Sequence, residues 1–332
     1  MSHVYLLGAG FTRAIIGDAA PLNDDVMGAL SRKIDFSDPP IIGQIYEEAK
    51  PNIEYFLTLL DLQIIKHQRN VNDLTNNCST INSAKEILNK LLNLRLHIKK
   101  TIAKLVGPDN LKMSSSSPND TLDGFISSIH PSSTILTLNY DLVLDQGLHL
   151  SRRWSPNGGY FIHSLAFRND NIGLANITFL KLHGSCNFSI NNEGDPYAEI
   201  EINDKLFEEI HCDFQRAGAD IPFVVLMSYI KNMPQGLKQL WRQAIIKLTE
   251  ATRLTVIGCS LREEDFLLNY ALYHFGMSQD TAEFNIDLVD IGQQNCNNLH
   301  DKIHALVAER EKQRYHPFPG GLKEYVEAAS QR

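Results

Sequence analysis

The chain has 332 residues, enough for one large α/β domain with an inserted module or for two modest domains. Hydrophobic residues make up 43% and charged residues 21% of the chain, which excludes global disorder. The formal net charge of −8 argues against a protein that coats nucleic acid with its whole surface. No apolar run approaches the roughly 20 residues of a membrane helix, and the first residues do not resemble a signal peptide.

The five cysteines are odd in number and scattered along the chain. Such a distribution predicts reduced thiols in a cytoplasmic protein. No two cysteines have CxxC spacing, so we expect no four-cysteine zinc site. The cysteines are Cys78, Cys186, Cys212, Cys259 and Cys296.

The sequence pattern changes near residue 51, from a strand followed by a glycine turn to leucine-rich helical segments. A short apolar run over residues 3–7 ends at a glycine turn and predicts a buried parallel strand. The leucine-rich segments 53–65 and 84–106 have a helical pattern, with a polar stretch between them. We therefore predict a helical module over residues 51–118, inserted in an α/β domain formed by residues 1–50 and 119–332.

Strand and helix patterns alternate after a serine-rich loop at 114–117. This alternation predicts a Rossmann-like, doubly wound parallel sheet with a helical insertion. The predicted strands cover 134–138, 177–182, 222–226, 253–257 and 284–290. The predicted helices cover 141–150, 235–251, 263–275 and 295–313, with a short helix at 204–213 in an otherwise irregular stretch.

Four glycine or polar motifs follow four of the predicted strands. Because the carboxyl ends of parallel strands share one edge of a sheet, these motifs are expected to meet in a ligand-binding crevice. The motifs are Gly8-Ala9-Gly10-Phe11-Thr12, Thr137-Leu138-Asn139-Tyr140-Asp141, Lys181-Leu182-His183-Gly184-Ser185 and Gly258-Cys259-Ser260-Leu261.

The first motif is suited to a diphosphate, because glycine lets the backbone and the start of the next helix approach a phosphate closely. An ordinary strand-to-helix turn explains the same residues equally well. Arg13 stands where the dehydrogenase fingerprint needs glycine or alanine, and no substrate domain is evident, so a dehydrogenase is disfavoured.

The second and third motifs contain the candidate catalytic residues. The neutral amide of Asn139 can orient a water or a ribose hydroxyl, although a turn residue is the alternative. Asp141 can bind an amide group or cap the next helix. His183 precedes a glycine that leaves room for a ligand, and imidazole exchanges protons near neutral pH.

Two further polar residues stand at predicted strand ends. Ser260 offers a hydroxyl for phosphate or ribose, but Arg262 breaks the GxSxG pattern of serine hydrolases. Asp290 is placed like the acidic residue that holds an adenosine ribose, with helix capping as the alternative.

One helix is locally basic in an acidic chain. Residues 85–104 contain six basic side chains against the single acid Glu86. The segment is a candidate surface for a partner or for nucleic acid, although a solvated helix face is the more common explanation.

Taken in order, the four motifs resemble those of the sirtuin fold. They look most like its zinc-free prokaryotic branch, the sirtuin-like NAD hydrolases of antiphage defence. The first motif looks like the GAG-x-S/T phosphate loop, and residues 137–141 are similar to the T-x-N-x-D motif. His183-Gly184 matches the catalytic HG pair, and Gly258-Cys259-Ser260, followed by Asp265, looks like the GxS loop.

The resemblance implies an NAD+ glycohydrolase in which Asn139 orders a water or hydroxyl and His183 is the general base. Asp141 would bind the nicotinamide carboxamide, and the glycine loops would hold the diphosphate and the adenosine ribose. The residues expected to bind NAD are Gly8, Ala9, Gly10, Phe11, Thr12, Asp141, Gly258, Ser260, Leu261 and Asp290.

The sequence departs from the zinc-binding deacylases of the family in two places. Residues 186–221 contain only two cysteines where those enzymes have two CxxC pairs, and residues 17–22 replace a stretch that follows their first motif. The resemblance implies a homo-oligomer or a regulatory partner that gates NAD depletion, with no membrane and no direct nucleic-acid role. A deacylase or ADP-ribosyltransferase, and a non-catalytic subunit that binds NAD or ADP-ribose, stay open.

Overall fold

The structure is a computed structural model, and it describes most of the chain. The described residues are 2–50, 52–73, 78–108, 110–111, 119–155, 160, 177–191, 197–202, 221–226, 228, 233–263, 265–278, 283–307 and 313–331. The predicted helix at 204–213 and the serine-rich loop at 114–117 lie outside these residues.

The described strands form two sheets of different kinds. In chain order they are β1 (His3–Leu7), β2 (Thr134–Thr137), β3 (Thr178–Lys181), β4 (Gly184–Ile190), β5 (Ile200–Ile202), β6 (Ile221–Val224), β7 (Arg253–Ile257), β8 (Phe284–Val289) and β9 (Gln313–Phe318).

The larger sheet is parallel and confirms the Rossmann-like fold. Its six strands have the order β3-β2-β1-β7-β8-β9, and every neighbouring pair is parallel. This is the doubly wound order, in which the direction of strand progression reverses between β1 and β7. Residues 4–7 are completely or almost completely buried, as expected for a central parallel strand.

The smaller sheet corrects two predictions. The strand expected at 222–226 lies at Ile221–Val224 and pairs antiparallel with β4, so it does not join the parallel sheet. The segment after residue 185 was expected to be irregular, yet β4 occupies Gly184–Ile190 and also pairs with β5. Its apolar residues Cys186, Phe188 and Ile190 alternate with polar ones and are buried.

Some of the helices cover the faces of the parallel sheet, and others pack with one another. They are α1 (Ala9–Ile16), α2 (Asn23–Ser31), α3 (Pro40–Ala49), α4 (Ile53–Asp73), α5 (Cys78–Leu105), α6 (Asp120–Ser128), α7 (Val143–Leu150), α8 (Gln235–Glu250), α9 (Phe266–Tyr273), α10 (Gln293–Leu306) and α11 (Gly321–Ala329). None of the helices in the described ranges combines the length and apolar character needed to cross a membrane.

The C-terminal region differs from the prediction. The helix expected at 295–313 ends at Leu306, and Gln313–Phe318 forms the edge strand β9, followed by α11. Pro317 explains part of this difference, because proline disrupts a helix interior but is tolerated in an edge strand.

The buried apolar residues form two large clusters. The first surrounds the parallel sheet, and the second joins α2, α3, α4 and α5, which together we call the helical part. Tyr140, Val224 and Leu226 also belong to the second cluster, so the helical part packs against the loop after β2 and against β6. The domain boundaries near residues 50 and 118 stay a prediction.

Candidate functional site

A cavity of about 330 Å³ lies at the carboxyl edge of the parallel sheet. It is placed at the reversal of strand order, where doubly wound sheets bind ligands. Residues that follow five parallel strands line it, namely Gly8 after β1, Asn139 after β2, His183 after β3, Gly258 after β7 and Asp290 after β8. The structure thus brings all four motifs together, and their chemical roles stay predictions.

The two glycine loops are in direct backbone contact at the floor of this cavity. The amide nitrogen of Gly8 donates to Ile257 O at 3.0 Å, and that of Gly10 donates to Gly258 O at 2.9 Å. A Cβ atom on Gly8 would lie 2.5 Å from Gly258 O, so no larger residue fits there. The amides of Gly8 and Gly10 are therefore used within the protein, and the start of α1 at Ala9, which lines the cavity, is the group that faces the position expected for a phosphate.

A chain of hydrogen bonds fixes the orientation of Asn139. Its Nδ2 donates to Gly8 O at 2.9 Å and to Thr12 Oγ1 at 3.0 Å. The hydroxyl of Thr12 in turn donates to Asp141 Oδ2 at 2.7 Å. Since both amide hydrogens of Asn139 are committed to protein acceptors, its Oδ1 is the atom left to accept a hydrogen bond from a ligand or water.

Asp141 is buried and held by protein donors on both oxygens. Its Oδ1 accepts from Val143 N at 3.0 Å, at the start of α7, while Oδ2 accepts from Thr12. Asp141 therefore binds the first helical amide of α7, although the N-cap residue of that helix is Leu142. Burial raises the pKa of Asp141, and the nearby charge of Lys181 acts in the opposite direction.

A buried ion pair stabilises the loop after β2, which contains Asn139 and Asp141. Lys181 Nζ lies 3.0 Å from Asp145 Oδ2 and also donates to the backbone carbonyl of Asp141. The hydroxyl of Tyr160 donates to Asp145 Oδ1 at 2.5 Å. Lys181 and Asp145 side chains are each 1% exposed, so the pair ties the end of β3 to α7 in a region without solvent.

His183 meets a carboxylate that the sequence did not assign to it. Its Nε2 lies 3.1 Å from Asp265 Oδ2, and its backbone carbonyl accepts from Val225 N at 2.8 Å. The ring also lies near Trp241, with 6.1 Å between ring centroids. The sequence marks Asp265 only as the aspartate that follows the GxS-like loop, inside a helix predicted over 263–275, whereas the observed helix begins after it at Phe266.

The loop after β7 has an unusual conformation, which Lys302 stabilises. Leu261 has a φ of +45°, and Lys302 Nζ donates to Ser260 O at 2.8 Å and to Leu261 O at 3.2 Å. Ser260 is exposed at the cavity. The thiol of Cys259 in the same loop is buried, which raises its pKa to about 12 and makes it a poor nucleophile.

Of the predicted binding residues, Asp290 lies at the cavity and the side chain of Phe11 does not. Asp290 lines the cavity, and its Oδ1 accepts from Ile291 N at 2.7 Å. Partial burial raises the pKa of Asp290. Phe11, in contrast, is 1% exposed, packs edge-on against Phe125 at 5.0 Å, and does not line the cavity. Its side chain therefore belongs to the core.

The helical part supplies one wall of the cavity, which the sequence did not predict. Ile102 of α5, Val106 and Glu54 of α4 line it. Glu54 Oε1 lies 2.8 Å from Arg262 Nη1 in the loop after β7, and the Glu54 side chain is 5% exposed. This ion pair joins the helical part to the edge of the parallel sheet.

The basic helix at 85–104 is partly neutralised by acidic neighbours. Lys90 lies 3.1 Å from Asp38, and Arg95 lies 2.7 Å from Asp61. Lys99 is only 4% exposed. These contacts reduce the basic surface that a partner or nucleic acid would meet.

No disulfide joins the cysteine side chains that the structure describes, and all of them are buried: Cys186, Cys259 and Cys296. Cys186 packs against Ala103 and Leu142 in a small apolar cluster. Across the described ranges, no group of three or more His, Cys, Asp or Glu side chains is arranged to hold a metal ion.

No protein-family model and no curated protein sequence matches the chain. Among solved structures it is similar to a Sir2 homologue in complex with NAD, with 13% identity, a TM-score of 0.38, and coverage of 99% of this chain and 88% of that one. It is also similar to Sir2 in complex with an inhibitor, 2'-O-acetyl-ADP-ribose and a deacetylated p53 peptide, with 11% identity, a TM-score of 0.40, and coverage of 100% and 93%. At TM-scores below 0.5 this likeness assigns no function, so the function has to be argued from the residues of the cavity.

Proposed function

We propose that the chain is an NAD+ glycohydrolase that cleaves the bond between nicotinamide and ribose. Water attacks C1′ of the ribose as the bond to the ring nitrogen breaks, and the products are ADP-ribose, neutral nicotinamide and one proton. The observation that carries the proposal is the convergence of Asn139, His183 and the two glycine loops on one cavity. A neutral hydrogen-bond acceptor, a base and a helix start that can face a diphosphate are the parts this reaction requires.

The charges around the cavity suit the two halves of NAD+. The glycine side presents the start of α1, whose partial positive charge favours the diphosphate. The carboxylate of Asp141 lines the same cavity and favours the cationic nicotinamide ribose and its oxocarbenium-like transition state, whereas Asp290 is assigned to the adenosine ribose. The leaving group departs as a neutral molecule and needs no proton.

Each polar residue has a distinct task in the proposed reaction. The free Oδ1 of Asn139 accepts a hydrogen bond from the attacking water or from a ribose hydroxyl. His183 takes up the proton that the water loses. Thr12 and Asp141 hold Asn139 in place through the hydrogen bonds at 3.0 and 2.7 Å.

We further infer that the enzyme depletes NAD as an antiphage effector, gated by self-assembly or by a regulatory partner. The motif resemblance supports the biological role. The gate is supported by the Glu54–Arg262 ion pair and by the helical wall, because any shift of that wall changes the cavity. Size-exclusion chromatography with light scattering, with NADase activity measured in each fraction, tests this. Equal specific activity in every assembly state, with and without the candidate partner, contradicts gating by assembly.

The reaction is tested by chromatography of NAD+ incubated with the purified protein. We expect equal amounts of ADP-ribose and nicotinamide from the parent, and loss of both products in Asn139→Ala and His183→Ala. The exposed residues Asn298 and His130 provide matched controls as Asn298→Ala and His130→Ala.

Other outcomes identify the competing functions. Transfer of labelled ADP-ribose to protein, or acyl removal from a peptide, indicates a transferase or deacylase. Binding of NAD+ without turnover in any assembly state indicates a non-catalytic subunit. Full turnover in Asn139→Ala and His183→Ala contradicts the assigned site.

A further inference from the structure

Asp265 and His183 form a buried pair at the edge of the cavity. The distance between Asp265 Oδ2 and His183 Nε2 is 3.1 Å, and the side chains are 11% and 9% exposed. A carboxylate removed from water in this way is costly unless a partner compensates it. The pair is therefore a specific contact and not a chance approach of two surface groups.

The backbone position of Asp265 makes this contact more informative. The residue occupies the N-cap position of α9, where an aspartate side chain ordinarily accepts a hydrogen bond from the first turn of the helix. No such side-chain cap is formed, and the carboxylate is directed to His183 instead. The backbone is held independently, since Asp265 N donates to Arg262 O at 3.1 Å and Asn269 N donates to Asp265 O at 3.0 Å.

A second ion pair lies close to Asp265 in the chain. Arg262, three residues earlier, contacts Glu54 at 2.8 Å. The carboxylates of Asp265 and Glu54 both act on the hydroxyl of Tyr140, whose pKa is raised mainly by burial. The two carboxylates thus share one pocket, with a different cationic or titratable partner for each.

A carboxylate on one ring nitrogen determines which tautomer of histidine is stable. When Nε2 carries the hydrogen and donates it to a carboxylate, the lone pair is on Nδ1. The same carboxylate stabilises the imidazolium that forms when Nδ1 takes up a proton. The ring of Trp241, with its centroid 6.1 Å from that of His183, also restricts the ring position.

We propose that Asp265 is a positioning residue that holds His183 by Nε2 and keeps it in the Nε2–H tautomer, so that Nδ1 is the basic atom. The inference rests on the proposed hydrolase function for its kinetic consequence. Its structural part, the tautomer, is independent of that function. Asp265 itself exchanges no proton with the substrate.

The test compares Asp265→Asn and Asp265→Glu with the parent. We expect kcat to fall by about 10²- to 10⁴-fold in Asp265→Asn, with KM changed by less than about threefold, because ring orientation and imidazolium stabilisation act on the transition state. Asp265→Glu, which keeps the charge on a longer side chain, should recover part of kcat. Asp123→Asn removes an exposed carboxylate from the first turn of α6 and is the matched control.

Nitrogen NMR of the labelled His183 ring separates this role from a merely structural one. The parent should show the Nε2–H tautomer, and Asp265→Asn should shift the ring towards a mixture of the two tautomers. An unchanged tautomer in Asp265→Asn, or an Nδ1–H tautomer in the parent, overturns the proposal. If the parent cleaves no NAD+ in any assembly state, the hydrolase function fails while the NMR result still decides the role of Asp265.

Discussion

The amide nitrogen of Gly10 donates to the carbonyl oxygen of Gly258 at 2.9 Å, which joins the loop after β1 to the loop after β7. Gly258 has a φ of +56°, and a Cβ on it would lie 2.4 Å from the carbonyl carbon of Gly10. The two loops meet where the order of the parallel strands reverses. Their glycines are therefore required by the contact between backbones, whether or not a phosphate is bound.

This contact predicts that Gly258→Ala destabilises the protein and separates the loop after β1 from the loop after β7, so that NAD+ no longer binds between them. The left-handed backbone and the clash together should cost at least about 2 kcal/mol in the free energy of unfolding. Gly292→Ala is the matched control, because Gly292 has a φ of +91° but nothing within 4 Å of its Cβ position. Denaturant unfolding that shows equal losses for the two variants contradicts the role of the clash.

Thr12 connects Asn139 to Asp141, so its hydroxyl should affect both stability and turnover. Thr12→Val leaves the Asp141 carboxylate and the Asn139 amide each without one partner, which should cost about 1–3 kcal/mol in unfolding free energy. We also expect NADase activity to fall by about 10- to 100-fold as Asn139 loses its orientation. Thr12→Ser keeps the hydroxyl and should retain most activity; equal losses in both variants argue against the hydroxyl.

The buried pair of Lys181 and Asp145 predicts a large effect on stability. Lys181→Met leaves the Asp145 charge without its cation and should lower the free energy of unfolding by about 3–5 kcal/mol. Adding Asp145→Asn removes that charge while keeping an acceptor for the hydroxyl of Tyr160, so about half of the loss should return. Urea unfolding of the single and double variants measures this, and a double variant no more stable than Lys181→Met contradicts it.

Asp290 predicts how NAD+ binding depends on pH. Burial raises the pKa of Asp290, so this carboxyl becomes protonated at a higher pH than an ordinary aspartate. If ribose hydroxyls donate to the ionised form, binding favours that form, and KM for NAD+ should rise as the pH falls towards the raised pKa of Asp290, at a higher pH than an ordinary aspartate would show. In Asp290→Asn, KM should be higher at neutral pH and should change less as the pH falls. The same pH dependence in both proteins excludes Asp290 as the group responsible.

Local sequence patterns were sufficient to predict the strands and helices whose formation depends on residues close together in the chain. The apolar run at 3–7 and the strands near 134–137 and 253–257 are confirmed, as are the helices near 53–65 and 84–106, the second of which ends at Leu105. The placement of the four motifs at one edge followed from strand ends alone, since parallel strands have a common direction. Apolar and polar residues also alternate along β4, which is a strand pattern in the sequence, although the polar residues Ser185 and Asn187 are buried as well.

Pairings between distant segments were decided only by the tertiary structure. The sequence by itself determined a parallel sheet with glycine, amide and imidazole groups at its carboxyl edge. It did not reveal that β6 pairs in a second, antiparallel sheet. It also did not reveal that Glu54 of α4 forms an ion pair with Arg262, or that the carboxylate of Asp265 contacts His183 and does not cap its own helix. Periodicity records which face of an element is buried, whereas the partner of a buried charge depends on how separate elements pack in three dimensions.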